Sequence, residues 1–143
     1  MDAVSVYLDV NVLVALFVVD LLNARADRAM GGLHDDLIIS NLSAAEFSAV
    51  IARRVRTRDL RSSEAQVAFS HFDAWCTGYT RTMEMDGSDV AAATRLMRRL
   101  DLPLRTPDAL HIAIAQRTGC ALLTFDRTMA RIARALGLAV LKG

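Results

Sequence analysis

The chain has 143 residues, 53% of them hydrophobic, and a formal net charge of +1. That length suits one domain with a real core, and the near-neutral balance excludes a strong global field that would draw in nucleic acid. The longest apolar stretch, Val12 to Val19, is eight residues and ends at Asp20, well short of the ~20 that span a bilayer.

Val4 to Leu8 is a short β-branched run and reads as the first strand. A helix starts near Asn11 and runs apolar through Val19. A second covers about Leu21 to Met30 and stops at Gly31-Gly32. Leu37-Ile38-Ile39 reads as the second strand. A third helix is expected from Ser43, with Ala44, Phe47, Ile51 and Val55 on its apolar face and Arg53, Arg54, Arg56 and Arg58 at its end. Ser62-Ser63-Glu64 opens a fourth, striped by Ala65, Phe69, Phe72 and Cys76 with Trp75 beside them, a pattern of core or hairpin packing. Thr80 to Met85 is a third strand. Asp86-Gly87-Ser88 opens a fifth helix that runs to about Leu100, and Leu102-Pro103-Leu104 is a linker. Thr106-Pro107-Asp108 starts a sixth helix that ends at Gly119. Ala121 to Thr124 is strand four, Arg127 to Leu136 helix seven with Gly137 as its stop, and Leu138 to Leu141 strand five. This alternation, without repeat or low-complexity segment, predicts a single domain over residues 1–143 of the α/β class, with a mainly parallel sheet between helices on both faces.

Four carboxylates stand out against that plan. Asp9 closes the first strand, Glu46 lies at the start of the third helix, Asp108 follows Pro107, and Asp126 follows the fourth strand. If the strands are parallel, their carboxyl ends share one edge, where ligand sites of open α/β sheets form. Acids gathered there make a hard-oxygen site for a divalent cation, suited to phosphodiester chemistry. Each acid also has a structural explanation. Asp9 and Asp126 can cap helices. Ser43-Ala44-Ala45-Glu46 has capping-box spacing, and Thr106-Pro107-Asp108 is a helix start with a threonine cap. Convergence separates the two accounts, since two unit charges ~5 Å apart repel by about 3 kcal/mol at an effective dielectric of ~20, and caps gain nothing from such crowding. Asp20, Asp35, Asp36, Asp59, Asp86, Asp89 and Asp101 are assigned to caps, loops and solvated faces.

Cys76 and Cys120 lack CxxC spacing, which fits buried thiols in a reducing compartment. Met1-Asp2 does not open a basic signal region, so a cytoplasmic location is expected. Sixteen of the seventeen basic residues are arginine and the one lysine is Lys142, so a GxxxxGK[ST] phosphate loop is excluded. Arginine suits phosphate through its planar fork, although coding bias alone gives the same composition. The run Arg53 to Arg61, with Arg98, Arg99 and Arg105, is a candidate grip on RNA phosphates or on a partner chain, against a solvated helix end. His111 lies one turn beyond Asp108 and could act there as an acid or base, against the packed or surface histidine that is the usual outcome on an apolar helix. His34 and His71 read as loop and helix-surface residues.

Four segments carry a family resemblance. Leu8-Asp9-Val10-Asn11-Val12-Leu13-Val14-Ala15-Leu16, Ile39-Ser40-Asn41-Leu42-Ser43-Ala44-Ala45-Glu46-Phe47, Arg105-Thr106-Pro107-Asp108-Ala109-Leu110-His111-Ile112-Ala113, and Leu123-Thr124-Phe125-Asp126-Arg127 with Ala130-Arg131-Ile132-Ala133 resemble, in order and spacing, the motifs of PIN-domain ribonucleases. Length and the lack of an added domain resemble the VapC-type toxins of toxin–antitoxin pairs. The resemblance implies a three-layer α/β/α fold with a five-stranded sheet in the order 3-2-1-4-5. It implies Mg²⁺, or Mn²⁺, held by Asp9, Glu46, Asp108 and Asp126 as catalytic and metal-binding residues, with Asn11 and Thr124 in support. It implies an endoribonuclease cutting a tRNA or ribosomal RNA stem-loop to leave a 3′-hydroxyl, an antitoxin that blocks the site, and a homodimer or toxin–antitoxin hetero-oligomer. Phe125 departs from the pattern, standing where the family often has a polar residue.

Part of the apolar surplus is available to cover a partner. The third and fourth helices form an expected hairpin whose outer groove suits an apolar antitoxin segment, with an antitoxin arginine among the carboxylates. Two other readings compete. A receiver-like phosphotransfer module needs an acidic pair at the first strand and a late lysine, and the chain has neither in place. A non-catalytic PIN-like RNA- or protein-binding module is opposed by the intact acids.

Overall fold

The computed structural model describes residues 4–18, 23–31 and 36–141. Five strands, β1 (Ser5–Leu8), β2 (Asp36–Ser40), β3 (Thr80–Met83), β4 (Ala121–Leu123) and β5 (Val140–Leu141), form one sheet in the order β3-β2-β1-β4-β5. All four pairings are parallel. The helices are α1 (Val10–Phe17), α2 (Asn23–Gly31), α3 (Asn41–Arg56), α4 (Ser62–Tyr79), α5 (Gly87–Met97), α6 (Thr106–Thr118) and α7 (Arg127–Ala135). The expected class, layering and strand order are all present. The expected helix limits at Val19, Leu21 and Gly32, and Asp20, His34, Asp35 and Lys142, lie outside the described residues.

Strand alternation sorts the core into two halves. Val6, Leu8, Ile39 and Leu123 face a cluster built with α1 to α4. Tyr7, Ile38 and Leu122 face the other, built with α6 and α7. The striped positions of α3 and α4 meet in an aromatic nest, where Phe47 stacks on Phe72 at 4.1 Å between centroids and Phe17 approaches Phe47, Phe72 and Trp75 edge-on. Each such pair adds roughly 0.5–1.5 kcal/mol beyond area burial.

Two helix starts differ from the sequence reading. The third helix begins at Asn41, directly after β2, with Ser40 as its cap. Ser43 N–H donates to Ser40 Oγ at 3.0 Å and Ser40 N–H to Ser43 Oγ at 3.2 Å. The box is therefore Ser40 with Ser43, and Glu46 lies deeper in the helix with its carboxylate free of capping. At α6, Arg105 is the cap residue and makes no side-chain cap bond, and Thr106 is the first helical residue. The Thr106 hydroxyl turns to Met97 Sδ instead. Asp89, assigned to caps and solvated faces, does complete the capping box of α5, but it is buried and accepts two hydrogen bonds from Arg117 at 2.7 and 2.9 Å. At the other end of α6, Gly119 adopts φ +69°, the left-handed cap that glycine tolerates best. No helix among the described residues is long and apolar enough to cross a membrane.

Phe47 is fully buried and touches three rings. Phe47→Ala is expected to lower stability by about 3–5 kcal/mol, seen in urea as a lower midpoint at unchanged slope. Phe47→Leu, which retains most of the volume, costs clearly less. Equal effects of the two substitutions would contradict this packing.

Candidate active site

Parallel pairing brings the carboxyl ends of β1 and β4 side by side, with Leu8 opposite Leu123. The next residues, Asp9 and Thr124, therefore meet. Asp9 is 7% exposed. Its Oδ1 accepts the Val10 amide at 2.8 Å, which caps α1, and its Oδ2 accepts the Thr124 hydroxyl at 2.6 Å. The same Thr124 oxygen accepts from Asn11 Nδ2 at 3.3 Å and from the Asp126 amide at 3.1 Å. Asn11 Oδ1 in turn accepts the Phe125 amide at 3.2 Å. Asn11 and Thr124 thus lock Asp9 to the β4–α7 turn. Asp126 Oδ1 caps α7 by accepting the Thr128 and Met129 amides at 2.9 and 3.1 Å.

The other two acids are held differently. Glu46 projects from α3, and its Oε1 meets His111 Nε2 from α6. His111, 1% exposed, is bonded through Nδ1 to the Tyr7 hydroxyl. That hydroxyl also meets Ser40 Oγ at 2.8 Å and Ser43 Oγ at 3.1 Å. A carboxylate only accepts, so the Nε2 N–H donates to Glu46, while the contacts of the Tyr7 hydroxyl to Nδ1 and to the serines fit either direction. Burial pushes the Tyr7 phenol far above its ordinary range, which keeps it neutral. Asp108 is the third residue of α6, where the positive end of the helix dipole favours a carboxylate. It accepts from the exposed Arg105 Nε at 3.4 Å.

All four acids line one cavity of about 290 Å³, together with Asn11, His111, Arg54, Arg105, Val10, Val14 and Val50. The carboxylates come from four different chain segments, and caps alone require no such gathering. Burial raises the Asp9 carboxyl above its ordinary value, the nearby Asp108 charge adds to the rise, and the Thr124 and Val10 hydrogen bonds and His111 oppose it. By chemistry the donor set fits a hard divalent cation, being oxygen-only at its acids. Among the described residues no three acid, histidine or cysteine side chains are drawn together as a ready ligand cluster, so the acids line the cavity without closing on one point.

Of the arginines expected near the site, Arg105 and one member of the 53–61 run, Arg54, reach the cavity. His111 is buried, as the packed reading expects, but it is bonded to Glu46. Tyr7 is a functional neighbour that the motifs do not mark; its one signal in the sequence is that a phenol inside an otherwise aliphatic strand needs a polar partner when buried.

The sequence profile of the PIN domain matches residues 6–135. Solved structures share the fold. One is the toxin VapC20 of Mycobacterium tuberculosis, described as cleaving the sarcin–ricin loop, with TM-score 0.75 and 18% identity, covering 96% of this chain and 99% of its own. Another is FitAcB of Neisseria gonorrhoeae, with TM-score 0.75 and 17% identity, covering 96% of each chain. A third is VapBC2 of Rickettsia felis bound to a promoter DNA fragment, with TM-score 0.68 and 14% identity, covering 96% of this chain and 97% of that one. No curated protein matches the sequence significantly.

The raised Asp9 carboxyl has a signed consequence for the metal-free protein. The folded state holds this proton to higher pH than the unfolded chain, so stability falls as pH rises from the ordinary value of 3.8 toward the raised folded value. Asp9→Asn removes the buried charge. Its melting temperature relative to wild type is expected to be more favourable at pH 7 than at pH 4, measured in chelator. A difference independent of pH would contradict the assignment.

Proposed function

We propose a function for this chain from one premise, that it belongs to the PIN domain family. The chain is a metal-dependent endoribonuclease toxin of the VapC type, acting on a structured tRNA or ribosomal RNA and neutralised by a cognate antitoxin. The observation that carries this reading is the single cavity into which Asp9, Glu46, Asp108 and Asp126 all open. Asp9, Glu46 and Asp108 are the main ligands for Mg²⁺ or Mn²⁺, and Asp126 is a further ligand or orients a water. When bound, such a cation activates a water at neutral pH and stabilises charge on the phosphodiester oxygens.

The protein's own contribution is positioning. Thr124 and Asn11 hold Asp9 against the end of β1. His111, backed by Tyr7, holds Glu46 from the opposite wall. Arg54 and Arg105 stand in the same cavity wall, where a guanidinium pairs with a phosphate that four carboxylates would otherwise repel. The low polarity of Val10, Val14 and Val50 limits solvent at the site.

The antitoxin reading has support in a second feature. A groove of about 440 Å³ runs between the end of α1 and the α3–α4 hairpin, lined by the apolar Phe17, Val18, Leu60, Val67 and Ala68 and by the polar Asp59, Ser63 and Glu64. It suits a segment with an apolar face. A structure described as a toxin–antitoxin complex from Klebsiella pneumoniae has the same fold, with TM-score 0.57 and 20% identity. The assembly is then a toxin–antitoxin hetero-oligomer or a homodimer of toxin chains.

Cleavage of bulk tRNA with and without Mn²⁺ tests the proposal. Asp9→Asn is expected to lose at least about a hundredfold in rate, since the metal's role is worth several kcal/mol. Cleavage that persists in that variant, or that ignores chelator, removes the mechanism. At about 100 times Kd, Mn²⁺ should stabilise wild type by ~2.7 kcal/mol and Asp9→Asn much less. His111→Gln is expected to weaken metal affinity or rate about 10- to 100-fold, as loss of a ligand's supporting partner does; wild-type values in both would show that Glu46 needs no tether.

A further inference from the structure

A second cavity, of about 420 Å³, adjoins the first and shares the wall residue Asp126 with it. Its charge is opposite in sign. Arg25 of α2, and Arg127 and Arg134 of α7, line it, against the single carboxylate of Asp126. That carboxylate already accepts two backbone amides of α7. Among the described residues the three guanidiniums form no ion pair with any acid. Three guanidiniums in one concavity, without an acid partner among the described residues, repel each other, which a solvated helix face avoids by spreading them.

The floor of this cavity is Phe125, the residue that departs from the family pattern. It is 9% exposed, and the Arg25 guanidinium lies over its ring at 4.4 Å from the centroid. The ring is therefore covered and offers no face for base stacking. It serves as a platform that fixes the Arg25 plane by cation–π attraction and leaves the guanidinium N–H edges available. A planar fork with fixed orientation suits phosphate oxygens.

We infer that Arg25, Arg127 and Arg134, with Arg25 set on Phe125, form a subsite for a backbone phosphate of the RNA next to the one being cut. This rests on the nuclease reading for the site beyond Asp126. The subsite reads charge and not base, so it contributes affinity and register without sequence preference. It also answers an electrostatic need, because the neighbouring cavity has four acids against only two arginines, Arg54 and Arg105, and so repels the strand it must hold.

Binding of fluorescently labelled bulk tRNA, measured in chelator across a salt series, tests the subsite apart from catalysis. Each lost phosphate contact flattens the dependence of log Kd on log salt by about one. The double variant Arg25→Gln/Arg134→Gln is expected to bind more weakly, with a slope lower by about two, and in Mn²⁺ to show a raised KM with kcat nearly kept. Arg25→Lys should not restore wild-type affinity, and Phe125→Leu should weaken binding while Arg25 remains. Arg95→Gln on α5, matched in charge and remote from the cavity, should leave the slope as it was. A double variant with wild-type affinity and slope overturns the subsite, as does an Arg95→Gln effect equal to that of Arg134→Gln. Two failures are separable. Wild type that cleaves tRNA while the double variant binds it normally removes the subsite alone. Wild type that binds tRNA with the expected variant losses, yet never cleaves in Mn²⁺, removes the nuclease reading and leaves the phosphate subsite in place.

Discussion

The hydrogen bond from Thr124 to Asp9 ties together everything at the carboxyl edge of the sheet. It exists because β1 pairs in parallel with β4 in a register that sets Leu8 against Leu123. One hydroxyl oxygen then joins the end of the central strand, the first turn of α1 through Asn11, and the β4–α7 turn through the Asp126 amide. A carboxylate as buried as Asp9 is costly without such partners. The charge-assisted bonds from Thr124 and Val10 offset part of that cost, and the remainder shows as a carboxyl raised above its ordinary value. The fold thus keeps a destabilising group at its centre, the usual mark of a position kept for binding or chemistry.

Glu46 is held from the opposite side by a chain of buried polar groups that runs across the sheet from Ser40 and Ser43 through Tyr7 to His111. Two of the four acids, Asp9 and Asp126, serve as helix caps while they line the cavity. The other two do not cap. Capping fixes a carboxylate's position through the backbone, whereas the Glu46 tether relies on side chains, and Asp108 leans on an exposed arginine whose ion pair contributes little. Asp108 is therefore the acid with the least constraint and the greatest room to adjust to a ligand.

The alternation of strands and helices and the shared edge of the four acids are legible in the chain, because apolar runs and turn residues mark a parallel α/β plan; the strand order follows only from the resemblance to PIN domains, since the runs themselves do not say which strands are neighbours. The start of α3 is not legible there. Ser40, Ser43 and Glu46 stand three residues apart, so Ser40 with Ser43 and Ser43 with Glu46 fit capping-box spacing equally well. What decides between them is long-range. Tyr7 holds both serine hydroxyls, and His111, 65 residues along, takes Glu46. For the same reason His111 looked ordinary in the sequence, since no local pattern shows that a histidine on an apolar helix faces a phenol from the central strand. Thr106 misled by local chemistry as well, for threonine before proline looks like a cap, yet the helix begins one residue earlier than that reading allows.

A net charge of +1 hides a separation of sign that matters more than the sum. Four acids and two arginines line one concavity, and three arginines line its neighbour, with Asp126 in the wall between. On the nuclease reading proposed above there is a conflict, because an acidic cation site would have to hold a polyanion. Guanidiniums a short step away would resolve it locally, without a basic surface that holds every nucleic acid it meets. Arginine suits this better than lysine, since its fork keeps a defined plane when stacked, as Arg25 is on Phe125. On the phosphate subsite inferred above, the near-absence of lysine, which composition alone leaves open between coding bias and function, would have a physical role at one place in the fold.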